Sequence, residues 1–214
     1  MSLIKAAVVQ AAPVLFDTLK TASKLAEIAR DAAGKGAELV VFPEAFVGGY
    51  PRGLDFEVRL GTRSPEEQEN FRRYSESAID LPGPEASRLG EIARDNGILL
   101  VVGIIQRDGG TLYCTAVTHA PSGKLISKYR KLMPTAMERL VWGFGDGSTI
   151  NVVETPLGRI GSVICWENYM PLLRAAMYTQ DAKPTAAFTL PHSLSIADEA
   201  AIEDEPQGER VCSD

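Results

Sequence analysis

The sequence predicts an α/β protein whose helices lie against a mixed sheet. Three observations lead there. Strand and helix periodicities alternate through the first hundred residues, paired short strands with turn residues between them follow, and the composition is that of an ordinary globular chain: 214 residues, 45% hydrophobic, 23% charged and net charge −6. At this length one domain buries roughly 70% of its unfolded surface, enough to fold without disulfides.

The elements follow in order. Ile4 to Gln10 is a short apolar run closed by Pro13, a buried strand. Asp17 opens a helix whose Leu19, Ala22, Ala26, Ala29 and Ala33 recur at helical steps, and Gly34 and Gly36 stop it. Glu38 to Phe42 is the next strand, broken at Pro43. A polar segment from Gly48 to about Ser77 holds at least one helix. Pro84 to Asn96 is an amphipathic helix with Leu89, Ile92 and Ala93 inward and Gly97 as its stop. Ile98 to Gln106 then turns at Asp108-Gly109-Gly110 into Leu112 to His119, and Ser122-Gly123 turns again into Leu125 to Tyr129. Ile150 to Glu154 and Ile160 to Cys165 form another pair, and Pro171 to Tyr178 is a helix. Beyond Thr179 the periodicity weakens and acidic residues crowd the end. Ala186 to Leu190 reads as one short strand, and the remainder of 179–214 as a largely disordered acidic tail outside the domain of residues 1–178.

Composition also excludes classes of function. Acidic balance without basic runs argues against nucleic acid, and the lack of a long apolar stretch against a membrane span. No secretory signal opens the chain, and three widely spaced cysteines make no disulfide framework, so a reducing, cytoplasmic setting is expected. Neither a Cys-x-x-Cys pair nor a histidine pair at helical spacing is present, so no metal site is expected. His119 and His192 read as surface or satisfied polar residues, which leaves a Cys–His protease without its base.

Chemistry therefore falls to thiols, carboxylates and lysines. Cys165 ends an apolar strand and precedes Trp166-Glu167-Asn168, a position suited to a nucleophile, although free cysteine is also among the residue types most often buried for packing alone. Cys114 reads as core and Cys212 sits in the acidic tail. Glu44 follows Phe42-Pro43, where apolar neighbours raise a carboxyl pKa toward that of a general base; in isolation a loop charge is the commoner reading. Lys131 sits at a strand end before Leu132-Met133-Pro134, placed either to stabilise a developing anion or as part of a solvated basic cluster. Glu138, before Leu140-Val141-Trp142-Gly143, is a further carboxylate among apolar residues, or one half of a surface ion pair with Arg139.

Taken together, these segments resemble the nitrilase branch of the carbon–nitrogen hydrolase (nitrilase) superfamily. Phe42-Pro43-Glu44-Ala45-Phe46 resembles the segment of its general base, Tyr129 to Thr135 that of its catalytic lysine, Glu138 to Ser148 a stretch typical of nitrilases, and Cys165-Trp166-Glu167-Asn168 the nucleophile segment. The resemblance spans about residues 4–178. It implies a four-layer αββα sandwich, incomplete on its C-terminal side because no family-like sequence follows Gln180, as in a truncated chain. It implies cofactor-free hydrolysis of a small-molecule nitrile, with Cys165 attacking, Glu44 as base, Lys131 stabilising the anion and Glu138 positioning substrate or water. Tyr50, Trp166 and Glu167 are the substrate-binding candidates, and Tyr50 to Arg59 and the region after Thr135 are expected to line the entrance. A homo-oligomer is implied, with the helix after Cys165 at the dimer surface. An amidase of the same superfamily and an inactive, truncated interaction fragment stand as the alternatives.

Overall fold

The computed structural model describes residues 4–54, 56 and 64–180, together with the backbone of 187–190 and 210–212. Among the described residues, ten strands and four α-helices run in the order β1 (Ala6–Gln10), α1 (Thr18–Gly34), β2 (Leu39–Val41), α2 (Pro65–Ser77), β3 (Ile79–Asp80), α3 (Pro84–Asn96), β4 (Leu99–Asp108), β5 (Thr111–His119), β6 (Leu125–Arg130), β7 (Val152–Thr155), β8 (Gly158–Ile164), α4 (Pro171–Tyr178), β9 (Ala187–Leu190) and β10 (Arg210–Cys212). The larger sheet is ordered β10-β1-β2-β4-β5-β6, with β3 pairing the far end of β4. Its first part, β1, β2 and β4, is parallel; the long β4–β5–β6 meander is antiparallel. That mixture is what strand–helix alternation followed by hairpins requires. The smaller sheet is β7-β8-β9.

Both helices against the large sheet begin and end where their sequence signals lie. The Asp17 carboxylate accepts from Lys20 N at 2.9 Å and starts α1. Pro84 occupies the first turn of α3, and Gly97, at φ 64°, closes it in the left-handed region. The buried face of α1 includes Ala22 and Ala29 as expected, with Ala26 and Ala33 packed at its edge, but it is centred on Leu25, Ile28 and Ala32, and Leu19 is exposed. The larger Leu25 and Ile28 decide which stripe faces the sheet, because each buried side chain of that size contributes about 1.5–3 kcal/mol.

Alternation along the strands builds two cores. Val40, Leu100, Val102 and Ile104 pack with α1 and α3 on one face of the large sheet. Leu39, Leu99, Val101, Ile105, Cys114, Ala116 and Tyr129 face the other way and meet Ile160 and Ile164 of the small sheet. Leu173 and Met177 of α4 belong to this second cluster, and a Cβ at Gly161 of β8 would lie 3.2 Å from the Met177 sulfur. Helices, sheet, sheet and helix therefore stack as four layers, the αββα arrangement.

The sequence left β3 and β10 unread. The strand expected over 186–190 is present as β9, parallel to β8. Apart from β9 and β10, the disorder expected for residues 181–214 concerns positions outside the described residues, as do His192, Asp55 and residues 57–59 of the expected entrance.

Candidate active site

Three chain ends converge between the sheets. Past β2, Phe42-Pro43-Glu44-Ala45 crosses β4 at Gly103, where an added Cβ would lie 2.3 Å from Pro43 O and 2.4 Å from Glu44 Cα. Glycine at 103 is what allows Glu44 to lie against the sheet. Past β6, Lys131 N donates to Cys114 O at 2.9 Å and Gly145 N donates to Lys131 O at 2.8 Å, so the lysine backbone is held from both sides. Past β8, Cys165 opens a short 3-10 turn, Cys165–Tyr169, with φ 58°. Ala45 has φ 52°. Left-handed backbone at non-glycine residues costs about 1–3 kcal/mol each and gathers where the surrounding structure fixes it.

The side chains of Glu44, Lys131 and Glu138 form one buried ionic group. Lys131, 1% exposed, donates from Nζ to Glu138 Oε2 at 2.8 Å and to Glu44 Oε2 at 3.3 Å. Glu138 is further held by Thr135 N, 2.6 Å from Oε2, and by the Tyr50 hydroxyl, 2.9 Å from Oε1. The Trp142 ring lies beneath, 5.7 Å from Lys131 Nζ and edge-on to Tyr50 at 5.5 Å; its indole N–H donates to Tyr74 OH at 3.0 Å.

Burial is the largest influence on Glu44 and pushes its carboxyl up to about 7, with Lys131 opposing and Glu138 adding to the rise. For Lys131, burial works against the charge, but Glu44 and its other neighbours outweigh it and the pKa is raised. Burial, then the Glu44 charge, raises the Cys165 thiol, while Lys131 and the Trp166 N–H pull it down. The half-buried thiol thus lies in the field of Glu44, Lys131 and Glu138 and rests protonated at neutral pH. A thiol in that state needs a base beside it if it is to attack, and a carboxylate titrating near 7 is matched to that task.

The substrate-binding candidates take three different positions. Tyr50 is half-buried and engaged with Glu138, its hydroxyl raised first by burial and then by that carboxylate. Trp166 is 66% exposed and packs against Tyr169, ring centroids 5.3 Å apart. Glu167 faces inward. It is buried, and its carboxylate accepts from Leu132 N (2.7 Å), Met133 N (3.2 Å), Ile164 N (3.1 Å) and Tyr129 OH (2.9 Å). Burial raises its pKa and these donors counter the rise. A carboxylate already holding four donors is a fastening between β6 and β8 rather than a ligand-facing group. Sequence reasoning missed Tyr129, Thr135 and Trp142 as parts of the site, although all three lie within the segments that drew attention to it.

Cys114 is core, as read. His119 is neither at the surface nor fully satisfied. It is buried under α3, its Nδ1 has no hydrogen-bond partner among the described residues, and burial lowers its pKa to about 4. Among the described residues, no group of three or more His, Cys, Asp and Glu is arranged to hold a metal ion, and no helix is long and apolar enough to cross a membrane.

With this geometry in hand, comparison with known proteins places the chain. The carbon-nitrogen hydrolase family profile matches residues 5–203, and the chain belongs to that family. It is 53% identical over 187 residues to a bifunctional nitrilase/nitrile hydratase of Lupinus angustifolius, covering 86% of this chain and 54% of the relative. It is 54% identical to an aliphatic nitrilase of Sinorhizobium fredii, covering 83% of this chain and 58% of the relative. An amidase from Nesterenkonia sp. superposes with TM-score 0.66 over 84% of this chain and 62% of its own at 21% identity, a likeness of fold. The chain spans about half the length of the curated relatives it matches.

Proposed function

We propose that this chain hydrolyses a small-molecule nitrile to the carboxylic acid and ammonia through covalent intermediates on Cys165. The observation that carries the reading is the buried Lys131 held between Glu44 and Glu138, with the Cys165 thiol in their common field. Glu44 takes the thiol proton as sulfur attacks the nitrile carbon. Lys131 faces the negative charge that gathers on nitrogen, and protonation of that nitrogen gives a thioimidate. Water adds to the thioimidate, ammonia leaves, and a second water hydrolyses the resulting thioester. Glu138, fixed by Tyr50 and Thr135, holds Lys131 in place and orients the incoming water.

The names of the relatives and the Arg130 to Thr135 and Glu138 to Gly143 segments favour nitriles over amides as substrates. A relative named nitrilase/nitrile hydratase makes the amide a product to be measured alongside the acid. The reading includes a reducing, cytoplasmic setting that keeps Cys165 a thiol, and a homo-oligomer. A second copy would pack on the exposed Trp166 and Tyr169 of the turn before α4 and on Leu172 in its first turn.

The test is ammonia release from a panel of aliphatic and aromatic nitriles and amides, with Cys165→Ala as control and light scattering on the same material. Nitrile turnover lost in the variant is expected. Turnover of amides alone would replace the reading with an amidase, and folded, monodisperse protein without turnover would replace it with an interaction fragment.

A further inference from the structure

We infer that Glu167 is a positioning residue, which holds the Cys165 backbone at a fixed place relative to Lys131 by bridging the ends of β6 and β8. This rests on the proposed function only in taking Cys165 as the reacting atom.

The connectivity carries the inference. Each carboxylate oxygen of Glu167 accepts two hydrogen bonds. Oε1 takes Leu132 N at 2.7 Å and Met133 N at 3.2 Å, the two residues after Lys131. Oε2 takes Ile164 N at 3.1 Å, the residue before Cys165, and Tyr129 OH at 2.9 Å, two residues before Lys131. The lysine is thus bracketed on both sides by groups bound to one carboxylate, and the cysteine lies between Ile164 and Glu167 themselves. Glu167, Tyr129 and Ile164 are each no more than 2% exposed, so the bonds to Tyr129 OH and Ile164 N are shielded from water.

The bridge also accounts for the backbone at Cys165. Its φ of 58° is held at a cost only if its neighbours are fastened. The Ile164 N–H fixes one side of that residue, and the Glu167 side chain anchors the other across the sheet interface. Without the bridge, the turn is free to relax, and the thiol moves away from the ammonium group.

Glu167→Gln tests this with little change of shape. The amide oxygen serves one pair of donors, but the NH2 group faces the other pair. Tyr129 OH can turn to accept from it; Ile164 N, Leu132 N and Met133 N cannot, so at least one bond of the four is lost. The primary readout is the rate of Cys165 alkylation by iodoacetamide against pH on the full chain, followed by mass spectrometry of the Cys165 peptide. It needs no substrate.

The profile is expected to move to higher pH, with alkylation near neutrality roughly threefold or more slower, because the thiolate loses Lys131. On an active enzyme, kcat falls roughly tenfold or more while KM changes little. Three results overturn the inference. A profile moved to lower pH would mean that only the Glu167 charge had mattered. An unchanged profile with a lower melting temperature would mean fold support alone. An unchanged profile with raised KM would mean substrate contact.

Tyr129→Phe, which removes one donor and keeps the carboxylate, covers the case in which Glu167→Gln does not fold. A smaller shift in the same direction is expected there, and no shift overturns the inference. Failure of the wild-type chain to release ammonia, with the alkylation shift intact, would sink the proposed function and leave the bridge standing.

Discussion

Glu44 is 3% exposed, and a negative charge there is costly. Burial raises it to about 7 despite the Lys131 ammonium 3.3 Å away, so near neutrality it readily gives and takes a proton. In the parent, kcat/KM for nitrile hydrolysis is expected to rise with pH through about 7 as Glu44 ionises. Glu44→Gln is expected to lose that limb and to lower the rate by roughly a hundredfold or more, read from ammonia release across pH. Lys131 behaves differently because both carboxylates depend on it. Lys131→Met leaves Glu44 and Glu138 facing one another without a cation, and breaking such a buried pair costs about 3–5 kcal/mol. The sign with pH follows. Glu44 is then raised further in the folded state, so the loss is greater at alkaline than at mildly acidic pH, which urea midpoints at the two extremes will show. Equal losses at both pH values would mean that the two carboxylates do not share the lysine.

At the scale of elements, the site depends on how closely chain segments approach, and Gly103 is where the approach is tightest. Alanine there would put its Cβ 2.3 Å from Pro43 O and 2.7 Å from Ala45 N, all backbone that cannot turn aside. Gly103→Ala is expected to destabilise the fold by about 2–4 kcal/mol and to displace Glu44, so that turnover falls even in the fraction that remains folded; a urea curve and ammonia release on one preparation check both. Full activity in Gly103→Ala would show that residues 43–45 need not lie on β4. The sequence did not disclose this glycine, because it lies inside an apolar run that reads as uninterrupted strand. Elements with local punctuation were legible: α3 from Pro84 to Gly97, the β4–β5 turn at Gly109-Gly110, and the strand ends carrying Glu44, Lys131 and Cys165. Elements defined only by distant partners were not. β3 is two residues long and exists through its pairing with Gln106 and Arg107, and Glu167 is oriented by backbone donors some 35 residues away in the chain. A charged residue beside Cys165 reads locally as ligand-facing, and only the packing of the two sheets brings Glu167 its four donors.

For the whole molecule, two opposing contributions to the pH dependence of stability come from groups on opposite faces of the large sheet. Glu44 lies between the sheets, and its folded pKa, about 7, is above its ordinary 4.5; its contribution is complete below 4.5 and is lost as pH rises through 7. His119 is packed under α3, where burial lowers it from 6.5 to about 4; its contribution is complete above 6.5 and is lost as pH falls through 4. Each is worth about 3 kcal/mol at its unfavourable extreme, since one pKa unit is about 1.4 kcal/mol. Between 4.5 and 6.5 the folded chain holds one proton more than the unfolded chain at Glu44 and one fewer at His119, so the two slopes oppose. Substitution separates them. The stability of Glu44→Gln relative to the parent is expected to increase from about pH 4.5 to 7 and then level, so that the less active variant is the more stable one at alkaline pH. The stability of His119→Asn relative to the parent, once offset for the lost packing, is expected to increase as pH falls from about 6.5 to 4. Taking differences between variant and parent removes what the surface carboxylates and Glu167 contribute to both. Urea midpoints at half-unit intervals measure the two curves, and slopes of the same sign would mean that one of these groups is not buried as it stands here.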